Sequence, residues 1–373
     1  MITGKRFNLS PATIIAGLVI GGVFIGLTVA MAEVWPIGPD YYYTFRPVTE
    51  RLIHGEIELY GPGSYGFFYA PWTILLLLPT TWVSLPWGQA LFLVTSLTIL
   101  VFVPYLVKLA RPFRAYSWIF ALFTLHTFDL LIRVQLDALP LLGVALGWWA
   151  IQKRRPWVVG LAFWFMAIKP LNVALAGFVV LIAMRTWTRR EQIKALTIPV
   201  LSLLLSFPLI GWDWPQRYSD SYQVFSPPKE YLTLTLWRVA RNIDFPFWPL
   251  YLLAGLLIGA ALWAVWRKGM TPLTYSIVLT TNLTLAQYAT GNHYVIMIPA
   301  VLFISQRNWR LGLLAYGLTW TPLLRAQWGT GIAPIDILYP ITLMLSGWYL
   351  LWQAEKKERL RRAARQAENE GAV

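Results

Sequence analysis

Residues 11–32, PATIIAGLVIGGVFIGLTVAMA, carry no charge and have the length of roughly 20 residues that a helix needs to cross a bilayer. They run straight into residues 33–70, EVWPIGPDYYYTFRPVTERLIHGEIELYGPGSYGFFYA, a polar, aromatic segment punctuated by Pro and Gly. That succession reads as a membrane helix followed by a loop at the water boundary. Asp40, with Tyr41, Tyr42 and Tyr43 behind it, falls just past the apolar run. Ionisable groups are costly at such a boundary and tend to be functional, whereas aromatic rings settle there readily. Asp40 is therefore the first candidate for a chemical role.

Composition extends this reading to the whole chain. Of 373 residues, 57% are hydrophobic and 13% charged, with a mean hydropathy of +0.54. A soluble domain carries about 25% charged residues. Apolar runs of helical length recur from Pro11 to Trp352, and backbone polar groups in lipid must be satisfied within the segment, so the expected fold is all-α. The alternating pattern of a membrane β-barrel is absent. The net charge of +14 does not indicate nucleic acid, because the basic residues lie between apolar runs rather than on one water-facing domain. With no cysteine, disulfides, thiolate catalysis and cysteine-ligated metals drop out.

The expected architecture is a polytopic integral membrane protein with about 12 crossings, some short or broken, and both termini cytoplasmic. Residues 1–352 form one transmembrane domain with large outer loops at 33–70 and 212–246, and residues 353–373 a basic cytoplasmic tail. The first run is longer than a signal peptide's apolar core and reads as a retained helix; cleavage after Ala30-Met31-Ala32 is the alternative. In this topology the inner segments hold 22 of the 31 Lys and Arg, as the positive-inside rule expects. The tail is read either as solvated and partly disordered or as lying on anionic lipid.

The outer face keeps nine basic residues against that rule: Arg46, Arg51, Arg133, Lys169, Arg217, Lys229, Arg238, Arg241 and Arg325. Lys169 stands in MAIKPLN between two apolar runs of about a dozen residues, too short to span. Its Lys-Pro corner thus lies at or below the outer surface, where an ammonium needs an anion. Arg133 and Gln135 occupy a similar turn between Asp129 and Asp137. Two readings are open: Arg133 and Lys169 pair with those acids or snorkel, or they join other cations around an anionic ligand on the face of Asp40. Arg238 and Arg241, three apart, share a helical face that suits either a phosphate or lipid headgroups. His293, where a later span begins, is either a packed core residue or part of this face. The histidines lack metal-ligand spacing, so no metal or other cofactor is expected, although Asp129 and Asp137 keep a metal open.

Several short motifs then converge on a known family. Asp40 after the first helix, His54-Gly55, Leu59-Tyr60 and Phe68-Tyr69-Ala70-Pro71 resemble the first-loop signature of glycosyltransferase family 87. Arg133-Val134-Gln135-Leu136-Asp137 is similar to that family's Gly-Gln-x-Asn turn, Ile168-Lys169-Pro170 to its Lys-Pro corner, and Gln287 to Pro299 to its later His-Tyr segment. Departures are Ala70 for a proline, Asp137 for asparagine, and no Ser-Pro before His293.

The resemblance implies a GT-C-like hexosyltransferase of the plasma membrane, working on the extracytoplasmic face. Its donor would be a sugar, such as mannose, on a polyprenyl monophosphate, and its acceptor the hydroxyl of a lipid or glycan; membrane lipids are further partners, nucleic acid is not. Asp40 would be the general base of an inverting displacement. Lys169, Arg133, Arg238, Arg241 and His293 would hold the donor phosphate, and Gln135, Tyr41 and Asp137 the sugar or acceptor. Competing readings are a transporter of a lipid-linked sugar, which would show paired repeats not found here, and an O-antigen-ligase-like transferase with a diphosphate donor, which leaves Asp40 unexplained.

Overall fold

The structure, a computed structural model, describes residues 10–56, 59–60, 67–107, 109–110, 113–224, 234–323 and 333–370. Parts of both outer loops, including Ser226, Pro227, Pro228, Lys229 and Tyr231, lie outside the described residues, as do Lys5, Arg6, Lys108, Arg111 and Arg325.

Among the described residues every regular element is helical, as apolar runs in lipid require. Five helices have the length and composition to cross a membrane: Pro11–Val34, Leu85–Leu106, Arg189–Ile210, Phe247–Lys268 and the last one, Leu338–Glu370. A bent pair, Phe113–Leu122 and Leu125–Arg133, makes a sixth span if taken as one. The protein is embedded in a membrane. Where the sequence read about a dozen crossings, several of the pieces are shorter helices such as Pro156–Met166 and Pro170–Ala183.

Helix starts follow local chemistry. Ser10 and Thr124 cap the helices that follow them, and Thr188 closes a capping box with Glu191. Pro stands in the first turn of helices 11–34, 156–166, 170–183 and 272–285, where its missing N–H costs nothing. The first helix is almost unburied within the protein and leaves its apolar side chains to lipid. By contrast, every residue of Leu273–Leu285 is buried, and this helix packs against the helices at 170–183, 247–268 and 338–370. The hydroxyls of Ser276, Thr280 and Thr284 return to the helix's own backbone, as Thr280 Oγ1 does to Ser276 O at 2.8 Å. The basic tail continues the last helix unbroken to Glu370, as a water-exposed extension.

Broken helices are what position the functional residues. At 1.5 Å per residue, Pro156–Met166 and Pro170–Ala183 reach only about 16 and 21 Å, so the corner between them stops well inside a span. Asn282 fixes that corner: its Oδ1 accepts from Leu175 N (2.8 Å) and its Nδ2 donates to Leu171 O (3.1 Å), the two groups that face each other in the first turn after Lys169-Pro170. Leu125–Arg133 ends at Val134, which is left-handed (φ 59°, ψ 53°), an uncommon place for a β-branched residue. Helix 272–285 stops before Gly291–Met297, a tight turn stacked against helices 125–133 and 138–153.

Candidate active site

The site is assembled at four helix breaks: the loop after the first helix, the Val134 turn, the Lys169 corner and the 290–293 turn. Gln89 of helix 85–106 secures the first of these. Its Oε1 accepts from Gly38 N at 2.7 Å and its Nε2 donates to Pro36 O at 2.9 Å. Gly38 lies against Val134 and the Ile132 carbonyl so closely that a Cβ would overlap both. This approach places Asp40, two residues on, beside Gln135, one residue beyond Val134.

Gln135 then joins the two halves of the site. Its Nε2 donates to Asp40 Oδ2, while its Oε1 accepts from Lys169 Nζ at 3.1 Å and from the Tyr69 hydroxyl at 3.0 Å. Lys169 also sits over the Tyr69 ring, 5.0 Å from its centroid. The ammonium bonds both oxygens of Asp137, at 2.9 and 3.0 Å, with side-chain exposures of 9% for Lys169 and 0% for Asp137. A buried carboxylate so held remains charged and spends its partner's charge.

The 290–293 turn closes the other side. Asn292 Nδ2 donates to Asp137 Oδ2 at 2.6 Å, and Asn292 N donates to Asp129 Oδ2 at 3.0 Å. Asp129 also takes Arg133 Nε at 2.7 Å. His293 Nδ1 accepts from the Thr290 backbone N–H at 3.0 Å, so a neutral ring carries its proton on Nε2, which faces Lys169 and Asp137 at 3.5 and 4.0 Å. A single hydrogen-bonded chain thus runs Arg133, Asp129, Asn292, Asp137, Lys169, Gln135, Asp40.

The expected site residues fall into three groups. Asp40, Gln135, Asp137, Lys169 and His293 come together, with Arg133 joined through Asp129. Arg238 and Arg241, although three apart, part company. Arg241 is exposed, with its guanidinium 5.8 Å from the Phe247 ring centroid. Arg238 turns inward, and its Nε and Nη1 are buried with no hydrogen-bond partner among the described residues, as is Thr235 Oγ1 one turn before. This segment is zipped onto the 285–294 stretch by Leu234 N to Ala289 O (2.7 Å), Trp237 Nε1 to Leu285 O (2.8 Å), and Tyr294 OH to Leu234 O. Tyr41 does not join the site: its hydroxyl lies in a buried pocket by Gly88, Thr80 and Arg46, and burial pushes its phenol above the usual tyrosine range. Its neighbour Arg46 donates to Thr80 O and Val83 O at 2.8 Å, tying the loop to the 78–83 turn.

The sequence reading missed Tyr69, Asn292 and Thr235. Tyr69 stood within a recognised motif and Asn292 beside His293, but only their contacts give them roles. Asp129 and Asp137, which had kept a metal open, are each taken up by a cation and an amide.

A protein-family model described as glycosyltransferase family 87 matches residues 67–288, more than half of the chain. The chain belongs to glycosyltransferase family 87. It is a glycosyltransferase and uses a sugar donor and an acceptor. Comparison with curated proteins, and with solved structures, returns no match. The matched segment of this family 87 protein contains Tyr69, Arg133, Gln135, Asp137, Lys169 and Arg238; Asp40 and His293 lie outside it and are joined to it by the contacts above.

Proposed function

We propose that this family 87 protein is a GT-C-type hexosyltransferase that moves a sugar, such as mannose, from a polyprenyl monophosphate to an acceptor hydroxyl on the extracytoplasmic face of the plasma membrane. The observation that carries the reading is the Asp40–Gln135 contact, which joins the Asp40 carboxylate to the family segment. Asp40 takes the proton as the acceptor oxygen attacks the anomeric carbon, and the lipid phosphate leaves with its bonding electrons; one displacement inverts the centre.

The leaving phosphate gains negative charge and calls for preorganised cations. Charge balance argues that Lys169 and Arg133 do not supply them alone. These two cations already face three carboxylates, Asp40, Asp129 and Asp137, within one hydrogen-bonded chain. Arg238 meets the requirement better, with two buried donors that have no hydrogen-bond partner among the described residues. His293 Nε2 lies 3.5 Å from Lys169 Nζ, and Arg241 is exposed against the Phe247 ring. Gln135, beside Asp40, is the residue placed for a sugar or acceptor hydroxyl, whereas Asp137 is fully buried and taken up by Lys169 and Asn292.

The test is transfer by the purified protein in lipid with a polyprenyl-phosphate hexose. Asp40→Asn, isosteric and still able to pair with Gln135, keeps the thermal unfolding midpoint and loses about 10²- to 10⁴-fold in rate. Wild-type rates in that variant would end the base assignment.

A further inference from the structure

We infer that Lys169 is a positioning residue that acts on Asp40 through Gln135, by fixing which end of the Gln135 amide faces the carboxylate. The inference deepens the reading of Asp40 as the base and rests on it for its catalytic meaning, though not for its geometry.

A glutamine amide presents an acceptor at one end and donors at the other, and its orientation follows from its partners. An ammonium only donates. Lys169 Nζ at 3.1 Å therefore requires the oxygen of Gln135 on its side, and the Tyr69 hydroxyl reaches the same oxygen at 3.0 Å. The amide NH₂ must then face Asp40 Oδ2. A donor at that position favours the charged carboxylate, the form that a general base needs. Were the amide turned over, its oxygen would oppose a carboxylate oxygen, and only a protonated Asp40 could satisfy both.

Lys169 is itself fixed. Asp137 bonds it through both oxygens, Asn292 orders Asp137, and the Tyr69 ring lies under the ammonium. The buried ion pair is then a fixed pointer rather than a free clamp for the donor. Because Asp137 cancels its charge, removing both members leaves the net charge of the site unchanged and isolates the effect on Gln135.

The variants are Gln135→Leu, the pair Lys169→Met with Asp137→Asn, and all three together; removing the two charges jointly avoids a lone buried carboxylate. The first readout needs no substrate: the infrared band of the Asp40 carboxylate in protein labelled with ¹³C-carboxyl aspartate, assigned in each background by difference against Asp40→Asn. Gln135→Leu and the charge pair shift this band in the same direction, and the triple variant shifts it no further than Gln135→Leu alone. The second readout is kinetic: with a polyprenyl-phosphate hexose the charge pair lowers kcat about ten- to a hundred-fold while the donor KM stays within about two-fold. An unmoved band in the charge pair, or additive shifts in the triple variant, overturns the inference. So does a rise in donor KM with kcat unchanged, which would make Lys169 a donor ligand. If wild type transfers no hexose, or Asp40→Asn stays active, the proposed function fails, and the infrared comparison still decides whether Lys169 orients Gln135.

Discussion

The side-chain amide of Gln135 donates to Asp40, 95 residues earlier in the chain, and accepts from Lys169, 34 residues later. One neutral residue thereby couples a carboxylate on a surface loop to a buried ion pair at a helix corner. Both partners are held by others, Asp40 through the Gln89 clamp on its loop and Lys169 through Asp137. The site is therefore rigid before substrate arrives, which is the condition for electrostatic preorganisation.

Gly38→Ala tests the loop's approach. The new Cβ would meet Val134 and stand 2.9 Å from the Ile132 carbonyl, which is backbone and cannot swing away. We expect stability to fall by about 1–3 kcal/mol, with transfer reduced at least ten-fold because Asp40 moves relative to Gln135. Adding Val134→Gly, which removes one clash and suits the left-handed backbone, restores part of the rate. Thermal unfolding in detergent and initial rates check both statements.

The Lys169–Asp137 pair predicts a strongly non-additive stability cycle. Lys169→Met alone leaves a buried carboxylate, and Asp137→Asn alone leaves a buried ammonium, so each costs about 3–5 kcal/mol. The double variant loses far less than the sum, because neither charge is stranded. Unfolding midpoints of the four proteins read the cycle. Equal, additive losses would mean that the pair is solvated despite its burial.

Arg238 and Arg241 separate a binding role from a structural one. Arg238→Met removes two buried donors that have no partner among the described residues, so stability holds or rises. The same change raises the donor KM about ten- to a hundred-fold, the value of a hydrogen bond to a charged group. Arg241→Met, altering an exposed side chain, changes neither quantity. A loss of stability in Arg238→Met with unchanged KM would reassign Arg238 to the scaffold.

Helical class, membrane residence and the main candidates were legible in the sequence because hydropathy and its interruptions are local properties. An uncharged run from 11 to 32 must form a helix in lipid, and a Lys-Pro corner between two short apolar runs must break one. Asp40, Gln135, Asp137, Lys169 and His293 could each be singled out by standing at such a break. What tertiary structure alone decided was who partners whom. That Tyr41 turns toward Gly88, that Arg238 faces inward while Arg241 does not, and that Asp137 pairs with Lys169 all follow from the relative rotation of helices distant in sequence. Rotation about a helix axis is set by packing against neighbours, and hydropathy in a lipid-bathed helix, apolar on every side, leaves no periodic mark of it.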